Sequence, residues 1–120
     1  MLAIRGATTV KNNDTQEILN ESAIMIKTII ESNNLELDDI VSMCFTMTSD
    51  LDSVYPSVAV REILTITDIP MLNFEEKHIQ DSLDKCIRVM IYINTTKNKK
   101  DINHVYLNNA SNLRSDLKNK

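Results

Sequence analysis

Lys85-Cys86-Ile87-Arg88-Val89-Met90-Ile91-Tyr92-Ile93 is the stretch on which the fold turns. It is rich in β-branched residues and is followed by Asn94-Thr95-Thr96, so it reads as a β-strand. Successive side chains of a strand point to opposite faces. One face carries Ile87, Val89, Ile91 and Ile93. The other carries Cys86, Arg88, Met90 and Tyr92. A fixed positive charge therefore stands mid-strand among apolar or weakly polar groups. Taking such a charge out of water costs several kcal/mol unless something pairs with it. Either a protein carboxylate or an anionic ligand must answer Arg88.

The surrounding composition narrows the class. At 120 residues the chain is one domain, long enough to bury a real core. No apolar run approaches the roughly 20 residues of a membrane span. The start, Met1-Leu2-Ala3-Ile4-Arg5, lacks the pattern of a signal peptide, so a cytoplasmic protein is expected. A formal net charge of −4 argues against general nucleic-acid binding. Cys44 and Cys86 lie in apolar, strand-like stretches and read as reduced core thiols. His78 and His104 are too far apart in sequence to suggest a zinc set. One glycine, Gly6, leaves no Gly-rich phosphate loop. Nine of the 13 cationic residues are lysine. The four arginines, Arg5, Arg61, Arg88 and Arg114, are thereby candidates for places that need a planar, bidentate donor.

Outward from the central strand, residues 2–10 read as a first strand. Gly6 inside it marks a bulge or a close backbone approach. Arg5 in the same strand reads equally well as an edge charge facing water. Asp14-Thr15-Gln16-Glu17 looks like a capping box. A helix follows to Ser32, its stripe made of Ile18, Leu19, Ala23, Ile26 and Ile30. Residues 40–48 form a second strand, with Val41, Met43, Phe45 and Met47 alternating against Ser42, Cys44, Thr46 and Thr48. Pro56 suits the first turn of a short helix to about residue 64, with Val60, Ile63 and Leu64 inward and Arg61 outward. Residues 69–74 form a short strand started by Pro70, with Glu75 and Glu76 at its end. Residues 77–84 are a polar connection. His104-Val105-Tyr106-Leu107 is a brief last strand, and the tail from about 115 is expected to be mobile.

The order β-α-β-α-β-β-β predicts an α/β (α+β) fold: a mixed sheet with helices on one face. One long and one short helix cannot cover both faces of five strands. The uncovered face calls for a partner subunit, and with it a pocket between subunits.

Arg5-Gly6-Ala7-Thr8-Thr9-Val10, Asp50-Leu51, Pro56, Ala59-Val60-Arg61-Glu62, Cys86-Ile87-Arg88-Val89-Met90 and His104-Val105-Tyr106-Leu107 together resemble the monofunctional chorismate mutases of the AroH class. The motifs fall in that family's order across nearly the whole chain. The resemblance implies a homotrimer with a pseudo-α/β-barrel core and active sites between subunits. It implies the cofactor-free pericyclic rearrangement of chorismate to prephenate, in aromatic amino-acid biosynthesis. By resemblance, Arg88 donates to the ether oxygen and a carboxylate, and Glu76 accepts from the ring hydroxyl. Arg5 grips a carboxylate and Tyr106 donates to the substrate. Tyr55 stands at the pocket wall, Arg61 at a neighbouring basic position, and Leu113 and Arg114 in the tail that closes the pocket. Asn73 stands where some members carry a cysteine that helps hold the hydroxyl. Val58 replaces a lysine found in some members, Asp81-Ser82 occupies a position that is often glycine, and Lys77 and His78 also depart from the family pattern.

Two other readings fit the arginines. One is a catalytically weak relative that binds a dicarboxylate. The other is a trimeric imine-deaminase-like protein, which shares an interface arginine but lacks the RGATTV start. An Arg88–Glu76 pair that is only scaffold also satisfies the opening strand.

Overall fold

The computed structural model describes residues 1–112. Leu113, Arg114 and the tail from about 115 lie outside the described residues. The described residues form five strands and two α-helices: β1 (Leu2–Thr9), α1 (Thr15–Ser32), β2 (Ile40–Thr48), α2 (Val58–Glu62), β3 (Met71–Glu76), β4 (Cys86–Ile93) and β5 (Val105–Tyr106). Single 3₁₀ turns at Leu37–Asp39, Lys99–Asp101 and Asn108–Asn112 punctuate the connections. The sheet order is β3-β2-β4-β1-β5, so β4, the strand that carries Arg88, is the centre of the sheet. It pairs antiparallel with β1 and β2, while β3 and β5 join parallel at the edges. The mixed sheet agrees with the expectation.

The alternation along β4 sorts as the sequence pattern requires. Ile87, Val89, Ile91 and Ile93 are buried, together with Ile4 of β1 and Met43, Phe45 and Met47 of β2. This face packs on α1, whose buried side is Ile18, Ser22, Ala23, Met25, Ile26 and Ile29. The stripe is therefore rotated from the expected one: Met25 and Ile29 are central, and Leu19 and Ile30 are flanking and only partly buried. Gly6 explains how close α1 comes. A Cβ there would sit 2.6 Å from Ile29 Cδ1 and 3.1 Å from Val89 Cγ1. Of the two meanings open for this glycine, close approach is the observed one. The sheet's irregularity lies in β2, between Ile40 and Ser42.

The capping box at the start of α1 is half formed. Asp14 Oδ2 accepts from the Glu17 N–H at 3.0 Å. Glu17 does not reach back to Asp14. It accepts instead from the backbone N–H groups of Lys11 and Asn12. At the other end Asn33 is buried and closes the helix onto the chain before β5. Its Nδ2 donates to the Ile29 and Asn103 carbonyls at 2.9 Å, and its Oδ1 accepts from the Asn103 N–H at 2.8 Å. Helix α2 is shorter than expected at both ends. Pro56 and Ser57 form a tight turn whose carbonyls accept from the N–H groups of Ala59 and Val60, three residues on. The N–H groups of Ile63 and Leu64 both turn back to the Ala59 carbonyl, and Thr65 follows with φ 56°, which stops the helix. Ile63 is exposed rather than inward.

Both α-helices contribute to one core with the Ile87–Ile93 face. The opposite face presents Ser42, Cys44, Thr46, Leu72, Phe74, Arg88, Met90 and Tyr92, all at least partly exposed.

Candidate active site

Register brings the reactive side chains into rows across the open face. Tyr106 of β5 pairs with Ala7 of β1, which pairs with Arg88 of β4, which pairs with Thr46 of β2, which pairs with Phe74 of β3. Arg5 lies two residues along β1 from Ala7, opposite Met90. Glu76 lies two residues along β3 from Phe74 and ends the strand. Arg5 is on an interior strand and half-buried, so it is not an edge charge facing water. Its backbone N–H donates to His104 Nδ1 at 3.0 Å, tying β1 to the chain leading into β5.

Arg88, Glu76, Arg5, Thr46 and Cys44 line one cleft of about 420 Å³, within the range of small-molecule sites. Arg88 Nε stands 3.2 Å from Glu76 Oε2, with both side chains about three-quarters buried. The Nε–H is not directed at that oxygen, so this is an ion pair without a formed hydrogen bond, and the buried Nε keeps an unspent donor. Thr46 Oγ1 donates to the same Oε2. The Tyr106 hydroxyl is also buried and has no hydrogen-bond partner among the described residues. Buried donors of this kind are uncommon in folded proteins and call for an explanation. Burial pushes the Cys86 thiol up, against the pull of the Arg88 charge beside it. Cys86 therefore stays neutral and leaves the guanidinium charge for Glu76 and whatever enters the cleft.

A second cleft, of about 500 Å³, flanks the pair on its other side and is lined by Thr48, Asp50, Lys77, His78, Ser82 and Asp84 as well as Glu76 and Arg88. Its loop holds Asp81 at φ 67° and Lys85 at φ 46°. The left-handed conformation at Asp81 gives a physical reason why glycine suits that position.

The remaining sequence candidates divide by strand alternation. Asn73 and Glu76 are an odd number of residues apart on β3 and so point to opposite faces. Asn73, Tyr55, Val58 and Glu75 line a separate depression of about 550 Å³. Asn73 is partly committed there: its Nδ2 donates to Ser57 Oγ at 2.8 Å and its Oδ1 accepts from the Ser57 N–H at 3.3 Å, which anchors the turn into α2. Arg61 is exposed and follows Val58 by three residues, on the same side of α2. One chain thus brings Arg88, Glu76 and Arg5 into one cleft, with Tyr106 on the same face, and holds Tyr55, Asn73 and Arg61 apart from them. Leu113 and Arg114 lie outside the described residues. Thr46 was missed by sequence reasoning. Only its register opposite Arg88 marks it out.

Among the described residues, no cluster of three or more His, Cys, Asp or Glu is arranged to hold a metal ion, and no helix is long and apolar enough to cross a membrane.

An open sheet face with two arginines, a paired glutamate and a buried tyrosine hydroxyl without a partner among the described residues defines an α+β protein with a cationic cleft on its sheet. The comparisons make that class specific. The profile of the type I chorismate mutases matches residues 1–117. The chain is 40% identical over 114 residues to the chorismate mutase AroH of Bacillus subtilis (strain 168), covering 95% of this chain and 90% of that one. It is 33% identical over 115 residues to the AroH chorismate mutase of Thermus thermophilus, covering 95% and 93%. A solved chorismate mutase from Clostridium thermocellum superimposes with a TM-score of 0.88 at 48% identity, covering 92% of this chain and 98% of that one. This chain belongs to the type I chorismate mutase family.

Proposed function

We propose that this chain isomerises chorismate to prephenate in aromatic amino-acid biosynthesis, as a cytoplasmic homotrimer with active sites between subunits. The observation that carries the reading is the Arg88–Glu76 pair at 3.2 Å in a cleft that also holds Arg5. A closed scaffold pair would have no use for a second arginine. A dianion that also carries a ring hydroxyl uses all three groups.

The reaction breaks an ether C–O bond and forms a C–C bond within one molecule. No proton or electron passes to the protein, so no covalent intermediate or cofactor is needed. The protein's contribution is to hold the compact reactive conformer and to stabilise charge as the ether bond lengthens. Arg88 donates to the ether oxygen, using the donor that Glu76 leaves unspent, and to a carboxylate. Glu76 accepts from the ring hydroxyl. Arg5 grips the second carboxylate, and the buried Tyr106 hydroxyl donates to the substrate.

Tyr55 and Asn73 line a depression separate from the Arg88 cleft, and exposed Arg61 follows Val58 of that depression by three residues on α2. They reach a substrate at Arg88 only from a neighbouring chain, which supports an active site completed between subunits. The exposed Leu72 (59%) and Phe74 (50%) on the open face, beside half-buried Met90 and Tyr92, support burial of that face against a partner.

The test is the loss of chorismate's absorbance on adding the purified protein. Turnover well above the spontaneous rate, with prephenate as the product, is expected. A rate indistinguishable from the spontaneous one would reject the reading, and turnover of an imine substrate with none of chorismate would replace it.

A further inference from the structure

Glu76 ends an edge strand, and among the described residues no further strand pairs with it on its outer side. A carboxylate that must accept from one substrate hydroxyl needs a fixed orientation, because a misplacement of about 1 Å can cost about a hundredfold in rate. Among the described residues two groups engage Glu76, and both act on the same oxygen: Thr46 Oγ1 donates to Oε2, and Arg88 Nε stands 3.2 Å from Oε2. The Arg88 contact is not a directed hydrogen bond. Charge attraction alone fixes distance and not orientation. The Thr46 hydroxyl has one proton, so the direction of the carboxylate comes from Thr46. Threonine suits this position for a second reason: two heavy atoms on Cβ restrict χ1 in a strand. Thr46 is flanked in the ladder by Arg88 on one side and by Phe74, two residues before Glu76, on the other, and its hydroxyl reaches along β3 to Glu76.

We infer that Thr46 is a positioning residue of this active site, which turns Glu76 so that Oε1 faces the substrate hydroxyl while Oε2 stays with the protein. The inference rests on the reading of Glu76 as the acceptor of that hydroxyl. Thr46 itself does not touch the substrate.

The experiment is steady-state chorismate kinetics on wild type, Thr46→Val, Thr46→Ser, Glu76→Ala and the double variant Glu76→Ala/Thr46→Val, each checked for folding by its thermal midpoint. Thr46→Val keeps the shape and removes the donor. Its kcat should fall by roughly ten- to a hundredfold, the size of losing a hydrogen bond to a charged group. KM should change little, because the arginines still hold the carboxylates. Thr46→Ser restores the hydroxyl and should recover most of the kcat. In the Glu76→Ala background the valine substitution should cost nothing further, since there is no carboxylate left to turn. Thr46→Ala carries the same expectations should the valine variant not fold. The inference is overturned if folded Thr46→Val or Thr46→Ala keeps the wild-type kcat, if folded Thr46→Ser is as impaired as they are, or if the loss is as large without Glu76. A wild type that turns over no chorismate rejects the functional reading instead, a result that the variants cannot mimic.

Discussion

Arg88 is a charge that the strand pattern places on the open face and that packing keeps there. Its neighbours along β4 on that face are Cys86, buried and neutral, and Met90, so Glu76 is the carboxylate set against it. A guanidinium can serve Glu76 and a substrate oxygen at once because its donors form a planar fork. Lysine keeps the charge and loses the fork. Arg88→Lys should lower kcat/KM by roughly 10²–10³, about 2.7–4 kcal/mol of transition-state stabilisation. Near-wild-type kinetics in that variant would remove Arg88 from the mechanism. At this scale the sequence was informative about charge and less so about hydroxyls. An arginine in an apolar strand demands an explanation from its pattern alone. Thr46 sits in a run of Ser42, Cys44, Thr46 and Thr48 where any polar residue would suit a half-exposed face, and only the strand register singles it out.

The elements that carry these residues were legible where burial has a period. β4 and β2 alternate cleanly between a core face and an open face, and α1 begins and ends close to its Asp14 and Asn33 signals. The boundaries of α2 and the rotation of α1's stripe were not legible, because both depend on what packs opposite. Gly6 and Val89 set which side of α1 comes closest, and that contact is between residues far apart in sequence. The entry into β4 is likewise tertiary. Asp50 accepts from the Thr48 hydroxyl and from the Lys85 N–H at 2.9 Å, holding Lys85 at φ 46° so that the chain turns into the central strand. Burial pushes the Asp50 carboxyl up, but these hydrogen bonds outweigh it and hold the group below its ordinary value of 3.8. A depressed carboxylate stabilises the fold above its unfolded-state value and loses that contribution as pH falls through the folded value. Asp50→Ala should therefore cost about 1 kcal/mol near pH 7, a modest figure because the group is solvent-screened. In urea titrations the gap between variant and wild type should close below about pH 4. A gap that is unchanged in acid would mean that the carboxylate's charge is not what holds the turn.

At the scale of the molecule, the decisive fact is that among the described residues one sheet face is covered by helices and the other is not. The imbalance between one long helix and five strands was readable from the sequence, and the open face carries Arg5, Thr46, Glu76 and Arg88. What could not be read was the division of the site. Arg5 and Glu76 share a cleft of one chain, so variants at these two positions cannot complement each other by mixing. Arg61 and Arg88 are the pair that can, because Arg88 lies in the open-face cleft while exposed Arg61 follows Val58, which lines a separate depression, on α2. The most direct test of a site built between copies of this chain mixes Arg61→Ala and Arg88→Lys chains, each nearly inactive alone, in unfolding and refolding with equal amounts of both. In a closed homo-oligomer assembled at random, about a quarter of the interfaces then pair an intact Arg88 side with an intact Arg61 side. Chorismate turnover in the mixture should rise to about that fraction of the wild-type rate. Mixed oligomers that remain as inactive as their parents would contradict the account.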